Sequence, residues 1–108
     1  DIVLKMVART MMNALRSYDF LGRWGGEEFI VLLPKLKALE LEAAAERLRV
    51  LVERSARQTS EGKLHVTISV GAYHCRAGDT PVSAVHAADK LMYESKQNGR
   101  NRVTLGGI

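Results

Sequence analysis

The stretch "RWGGEEFIVLLP", Arg23 to Pro34, constrains the fold of this chain more than any other segment. Gly25-Gly26 reads as a hairpin turn, because glycine reaches the positive φ values that tight two-residue turns require. "DFLGRW" is then the outgoing strand, with Trp24 packing on the hairpin, and "EEFIVLLP" is the return strand. Along the return strand Phe29 and Val31 face one way and Ile30 and Leu32 the other. Both faces are apolar, which predicts a central strand covered on both sides. Pro34 ends it.

The remaining segments supply the cover. Val3, Leu4, Val7, Met11, Ala14 and Leu15 recur at helical spacing and predict a helix over 1–17. Leu41, Ala44, Ala45, Leu48, Leu51 and Val52 predict a second over 38–57. "RQTSEGK" reads as a polar loop. Leu64, Val66, Ile68, Val70 and Ala72 alternate with polar or small residues, a strand pattern. Thr80 as N-cap and Pro81 at the first helical position open a third helix over 81–98, and Gly99 is its left-handed stop. "RNRVTL" is a last short strand. Helix, hairpin, helix, strand, helix, strand is an α/β sandwich with an antiparallel hairpin, not a regular doubly wound sheet. No repeat or low-complexity segment interrupts it.

Composition adds bounds. A chain of 108 residues suggests one domain, and its ordinary apolar content predicts a packed core. The net charge of +4 suits an anionic ligand such as a nucleotide phosphate, and equally a plain soluble surface. Cys75 is the single cysteine, so neither an internal disulfide nor a cysteine-cluster zinc site is available; a reducing compartment fits. No apolar run approaches the roughly 20 residues a bilayer requires. The first residues read as helix, without a signal peptide.

Several residues carry possible chemistry. Glu27 and Glu28 are adjacent like charges, costly unless a cation lies between them. Magnesium often uses one or two carboxylates with substrate phosphates, and bare Gly25 and Gly26 would let a phosphate approach backbone amides. An exposed hairpin tip with two solvated glutamates is the alternative. Lys96, in the last helical turn, and Arg100, just past Gly99, either complement the helix dipole or bind phosphate. Arg16 and Asp19, in "RSYD", either close the first helix as an ion pair or hold a ligand. His65, His74 and His86 show no ligand spacing and read as surface or loop residues.

Taken together, "RSYD", "RWGGEEF", "AERLR" (Ala45 to Arg49), "VTISVGAY" and "AADKLMYESKQNGRNRV" resemble, in order and register, the GGDEF domains of the diguanylate cyclases, in the Glu-Glu variant. The resemblance covers essentially the whole chain, 1–108, as a single partial domain. It implies the palm-like nucleotidyl cyclase fold: a central, mostly antiparallel sheet with helices on both faces. It implies condensation of two GTP into cyclic di-GMP with release of pyrophosphate, by two facing subunits with two Mg²⁺ or Mn²⁺ ions per site. Glu27 and Glu28 would then be the catalytic and metal-binding pair. Gly25, Gly26, Lys96 and Arg100 would bind substrate phosphates, and Asp1 would align with a guanine-reading aspartate. Arg16 and Asp19 would form the product inhibitory site, with Arg47 assisting.

The family pattern also contains a strand and helix ahead of Asp1, including an aspartate that is the second metal carboxylate. This predicts that the chain is a piece of a longer protein, inactive as a cyclase by itself, with an exposed sheet edge that invites strand pairing or swapping with another chain. The same resemblance implies a bacterial, cytoplasmic signalling protein, or the cytoplasmic part of a membrane-bound sensor, with an N-terminal sensor or receiver domain. Homodimers would be the catalytic form. Nucleic acid is not an expected partner. The competing expectation is a non-catalytic GGDEF-like module that binds GTP or cyclic di-GMP.

Overall fold

Helix α1, Ile2–Ala14, places Met6, Val7 and Met11 on one buried stripe. The computed structural model describes residues 2–55, 57–59 and 62–108. Helix α2, Ala38–Glu53, answers α1 with Ala45, Leu48 and Val52, spaced three and four apart on one face. Val7, Met11, Leu48 and Val52 form the core, and Val52 is fully buried. Each such side chain stabilises the fold by about 1.5–3 kcal/mol. The backbone N–H of Lys37, which precedes α2, donates to Glu40 Oε1 at 2.8 Å and satisfies one end of the helix.

Strand β1, Phe20–Gly25, pairs antiparallel with β2, Glu28–Leu32. One face of this hairpin, Leu21, Phe29 and Val31, packs on the α1–α2 core. The other face is open among the described residues. Phe20 is 53% exposed and Leu32 51%, and the Phe20 ring folds back over bare Gly22. The expectation of cover on both sides is therefore corrected. Apolar residues on two faces record a preference for burial, but among the described residues β2 pairs only with β1, and Leu32 is left half-exposed.

The turn also shifts by one residue. Gly25 pairs with Glu28, so the loop is Gly26-Glu27, and Gly26 takes the positive φ of +51°. The register slips between Arg23 and Gly25, which leaves Trp24 as the extra residue of a bulge. Trp24 is 61% exposed rather than packed on the hairpin.

"RQTSEGK" contains a short hairpin of β3, Arg57–Thr59, and β4, Gly62–Leu64, where a loop was expected. The strand expected over 64–72 is divided. Residues 65–69 form no ladder, although Val66 and Ile68 still turn toward the core and His65 and Thr67 outward. Strand β5, Val70–Tyr73, resumes and pairs in parallel with β6, Val103–Gly106. The α/β class thus stands, with the strands among the described residues in three two-stranded pairs, two antiparallel and one parallel.

Helix α3, Pro81–Gln97, begins as the sequence predicts. The Ser83 N–H donates to Thr80 Oγ1 at 3.1 Å, the Thr80 N–H donates to Ser83 Oγ at 2.9 Å, and Pro81 follows the cap. The helix lies directly on β5. A Cβ at Gly71 would stand 2.1 Å from the Ala88 carbonyl oxygen and 2.2 Å from the Met92 nitrogen, so only glycine permits this approach. Ser95, fully buried, fastens the far end: its hydroxyl donates to the Val70 carbonyl at 2.8 Å and shares a 2.6 Å hydrogen bond with Thr104 Oγ1.

Candidate functional site

The hairpin tip and the end of α3 meet. Lys96 lies one residue past the Ser95 anchor, and its Nζ stands 4.0 Å from Glu28 Oε2. Both side chains remain partly exposed, at 28% and 37%. Glu27, in the turn, is exposed. The structure thus brings together two of the predicted groups, the strand-end carboxylate and the helix-end ammonium, from opposite ends of the chain. A pair at this distance and exposure contributes little to stability.

The two glycines at the tip are there for different reasons. Gly26 needs its positive φ. Gly25 does not have one, and a Cβ there would meet nothing within 4 Å. Neither backbone conformation nor packing calls for glycine at position 25, and the space above it is open to a ligand. Arg23, which sequence reasoning passed over, braces the turn from below: its Nε donates to the Gly26 carbonyl at 2.8 Å, and its terminal Nη2 donates to the same oxygen.

Arg100 follows the α3 stop. Its N–H donates to the Ser95 carbonyl at 2.9 Å, closing the helix end, with Gly99 at φ +118° as predicted. Its side chain is exposed, and among the described residues its guanidinium has no hydrogen bond or ion pair. Arg100 is therefore in the same loop as the end of α3, but no contact ties it to Glu27, Glu28 or Lys96. Asp1 lies outside the described residues.

Arg16 and Asp19 are bound to each other. The Arg16 Nη2 donates to Asp19 Oδ1 at 2.7 Å, and Nε bridges both carboxylate oxygens at 3.1 and 3.0 Å. The Arg16 N–H donates to Asp19 Oδ2 at 2.7 Å, and Nη2 also reaches the Pro34 carbonyl. The guanidinium lies 4.5 Å from the Tyr18 ring centroid. The Asp19 side chain is 2% exposed. The hydrogen bonds from Arg16 hold the Asp19 carboxyl below the usual aspartate range, and the same bonds raise Arg16. Arg47 is exposed on α2, with no hydrogen bond or ion pair to either partner.

A second polar cluster was also missed. Arg49 on α2 engages Glu46 and Glu53 and donates to Asn101 in the loop after α3. The spacing of Glu46, Arg49 and Glu53 on one helix face is a legible signal; the reach to Asn101 is not.

For a divalent cation, the donor set at the tip is two hard carboxylates, which suits Mg²⁺ or Mn²⁺ completed by ligand phosphates. No cluster of three or more metal-ligating side chains occurs among the described residues. Glu27 and Glu28 are thus the side chains at the tip with the chemistry to hold such an ion. Among the described residues no helix is long and apolar enough to cross a membrane.

The family described as "Diguanylate cyclase, GGDEF domain" matches residues 1–102. Diguanylate cyclase A of Treponema denticola is 46% identical over 106 residues, covering 97% of this chain and 29% of that protein. The response regulator PleD of Caulobacter vibrioides is 37% identical over 106 residues, covering 95% of this chain and 23% of PleD. The chain thus spans under a third of the length of these two relatives. Among solved structures, Pseudomonas aeruginosa diguanylate cyclase SiaD, in complex with its activator SiaC, superposes with a TM-score of 0.90 at 38% identity, covering 96% of this chain and 40% of that one. The GGDEF domain of DgcB from Caulobacter crescentus, in complex with c-di-GMP, gives 0.89 at 30% identity, covering 96% of this chain and 63% of that one.

Proposed function

Since the chain belongs to the diguanylate cyclase GGDEF family, we propose that it is the nucleotide-holding part of a diguanylate cyclase, which joins two GTP into cyclic di-GMP. The observation that carries this reading is the meeting of Lys96 with Glu28 beside the open backbone of Gly25. A cation, a carboxylate pair and a bare strand end are what a metal-bound triphosphate requires.

The roles are those that the family resemblance implies for these residues. Gly25 and Gly26 admit the phosphates to the hairpin backbone. Lys96 and Arg100 hold the terminal phosphates and offset the charge of the departing pyrophosphate. Glu27 and Glu28 would hold Mg²⁺ or Mn²⁺, which supplies charge neutralisation at the transferring phosphoryl group. The 3′ oxygen of one GTP bonds to the α-phosphorus of the other, and the bond to the pyrophosphate oxygen breaks. The released proton passes to a Glu27 carboxylate oxygen. Two such sites face each other in a homodimer, so each chain supplies one GTP.

The second reading is a module that binds GTP or cyclic di-GMP without turning it over; the presence of Glu27, Glu28, Lys96 and Arg100 together favours the enzyme. In either case the 108-residue chain alone is expected to bind without catalysis. Calorimetric titration with GTP and Mg²⁺ tests the site: binding is expected, and Lys96→Ala should weaken it. Absence of any binding would sink both readings. An assay with GTP and Mg²⁺ on the longer protein separates them. Cyclic di-GMP production supports the enzyme; cyclic di-GMP binding lost in Arg16→Ala, without turnover, supports the module.

A further inference from the structure

Three consecutive residues after α3 have positive φ: Gly99 at +118°, Arg100 at +64° and Asn101 at +46°. Glycine takes that region freely and asparagine tolerates it, but arginine does not favour it. Two non-glycine residues in succession persist there only when their surroundings over-determine them. The surroundings here are identifiable. The Arg100 N–H is bound to the Ser95 carbonyl and its carbonyl accepts from Arg102 Nε at 3.1 Å. Asn101 is held from a different element. Its Oδ1 accepts from Arg49 Nη1 at 2.9 Å, and its Nδ2 donates to Glu53 Oε2 at 2.6 Å. Arginine can only donate and a carboxylate only accept, so the two partners fix which way the amide faces. Arg49 is itself steadied by Glu46 and Glu53, and its side chain is only 16% exposed. The backbone of Arg100 is thus held on both sides, while its guanidinium has no partner among the described residues.

We infer that Arg49, Glu53 and Asn101 are positioning residues: a clasp from α2 that holds the 99–101 turn in its left-handed form and so aims Arg100 at a bound polyphosphate. The inference rests on the reading of Arg100 as a phosphate ligand. A clasp of this kind acts on the β- and γ-phosphates and not on the rest of the nucleotide, which separates it from a general role in folding.

The test is calorimetry of this chain with GTP and with GMP, each with Mg²⁺. Asn101→Gly keeps the backbone conformation accessible but removes both clasp bonds. It should weaken GTP about tenfold, the loss of one well-placed charged contact, and leave GMP within about twofold. Arg100→Ala should show the same pattern, and the double variant should lose little beyond either single one. Asn101→Asp, which can still accept from Arg49 but opposes Glu53, should act in the same direction. Equal weakening of GTP and GMP would overturn the clasp, as would parent-like GTP affinity in Asn101→Gly while Arg100→Ala loses it. Parent-like affinity in Arg100→Ala, or no nucleotide binding by the parent chain, overturns the reading of the site as well.

Discussion

The hairpin tip and the "RSYD" corner are both short charged motifs, yet they are in opposite conditions. At the corner, the Asp19 carboxylate accepts from the Arg16 guanidinium and N–H, the carboxylate is buried, and its pKa is held down by those bonds. At the tip, Glu27 is exposed, Glu28 has one loose partner at 4.0 Å, and Arg100 has none among the described residues. A group that is already satisfied contributes to stability; a group left unsatisfied on the surface is available to a ligand. An anion can engage Arg16 at the corner only by sharing it with Asp19. At the tip it displaces water.

The sharpest way to break this contrast is Asp19→Ala. It removes the partner of the Arg16 N–H and leaves the guanidinium with the Pro34 carbonyl and solvent, and should cost about 1–2 kcal/mol in urea unfolding. If Lys96→Ala costs as much, the contrast fails. The expectation for Lys96→Ala is instead a stability within about 0.5 kcal/mol of the parent and GTP affinity lower by about tenfold. Acid titration sharpens the corner further. Asp19, Asp79 and Glu46 all have lowered pKa values, by the Arg16 hydrogen bonds, by the Arg76 N–H and Tyr73 hydroxyl, and by Arg49. Their contribution is complete above the ordinary carboxylate range, and is lost as pH falls below about 4. Unfolding followed between pH 6 and 2 should show that loss, and Asp19→Ala should flatten part of it. The smallest effect belongs to Gly25→Ala. With no neighbour within 4 Å and no positive φ, stability should hold or rise slightly, while GTP affinity falls a few-fold. Unchanged affinity would mean that no ligand approaches that backbone.

Much of this was legible in the sequence because it depends on local periodicity. The stripes of Val7–Met11 and Leu48–Val52, the Thr80–Pro81 start and the Gly99 stop are properties of a single helix and its ends. What escaped depends on partners. The turn falls at Gly26-Glu27 rather than Gly25-Gly26 because Trp24 bulges from the ladder, which only the register of both strands decides. Residues 65–69 keep strand alternation but have no ladder, since alternation records burial and not pairing. Among the candidate residues, Lys96 and Glu28 were named for separate reasons, and only the packing of α3 shows that they meet. Asn101 carries no local signal, because its partners lie on α2.

Gly71 has a consequence that reaches this charge pair. It serves as a bearing surface for α3, and Met92, seated against it, is one helical turn from Lys96, about 6 Å along the axis. Any side chain at position 71 would have to lift the helix by more than about 1 Å to reach ordinary contact distance. Over so short an arm that lift arrives at Lys96 nearly undiminished. A residue with no side chain, itself not among the charged groups of the tip, therefore sets the alignment of the ammonium with the hairpin, and a methyl group there would detune the site without touching it.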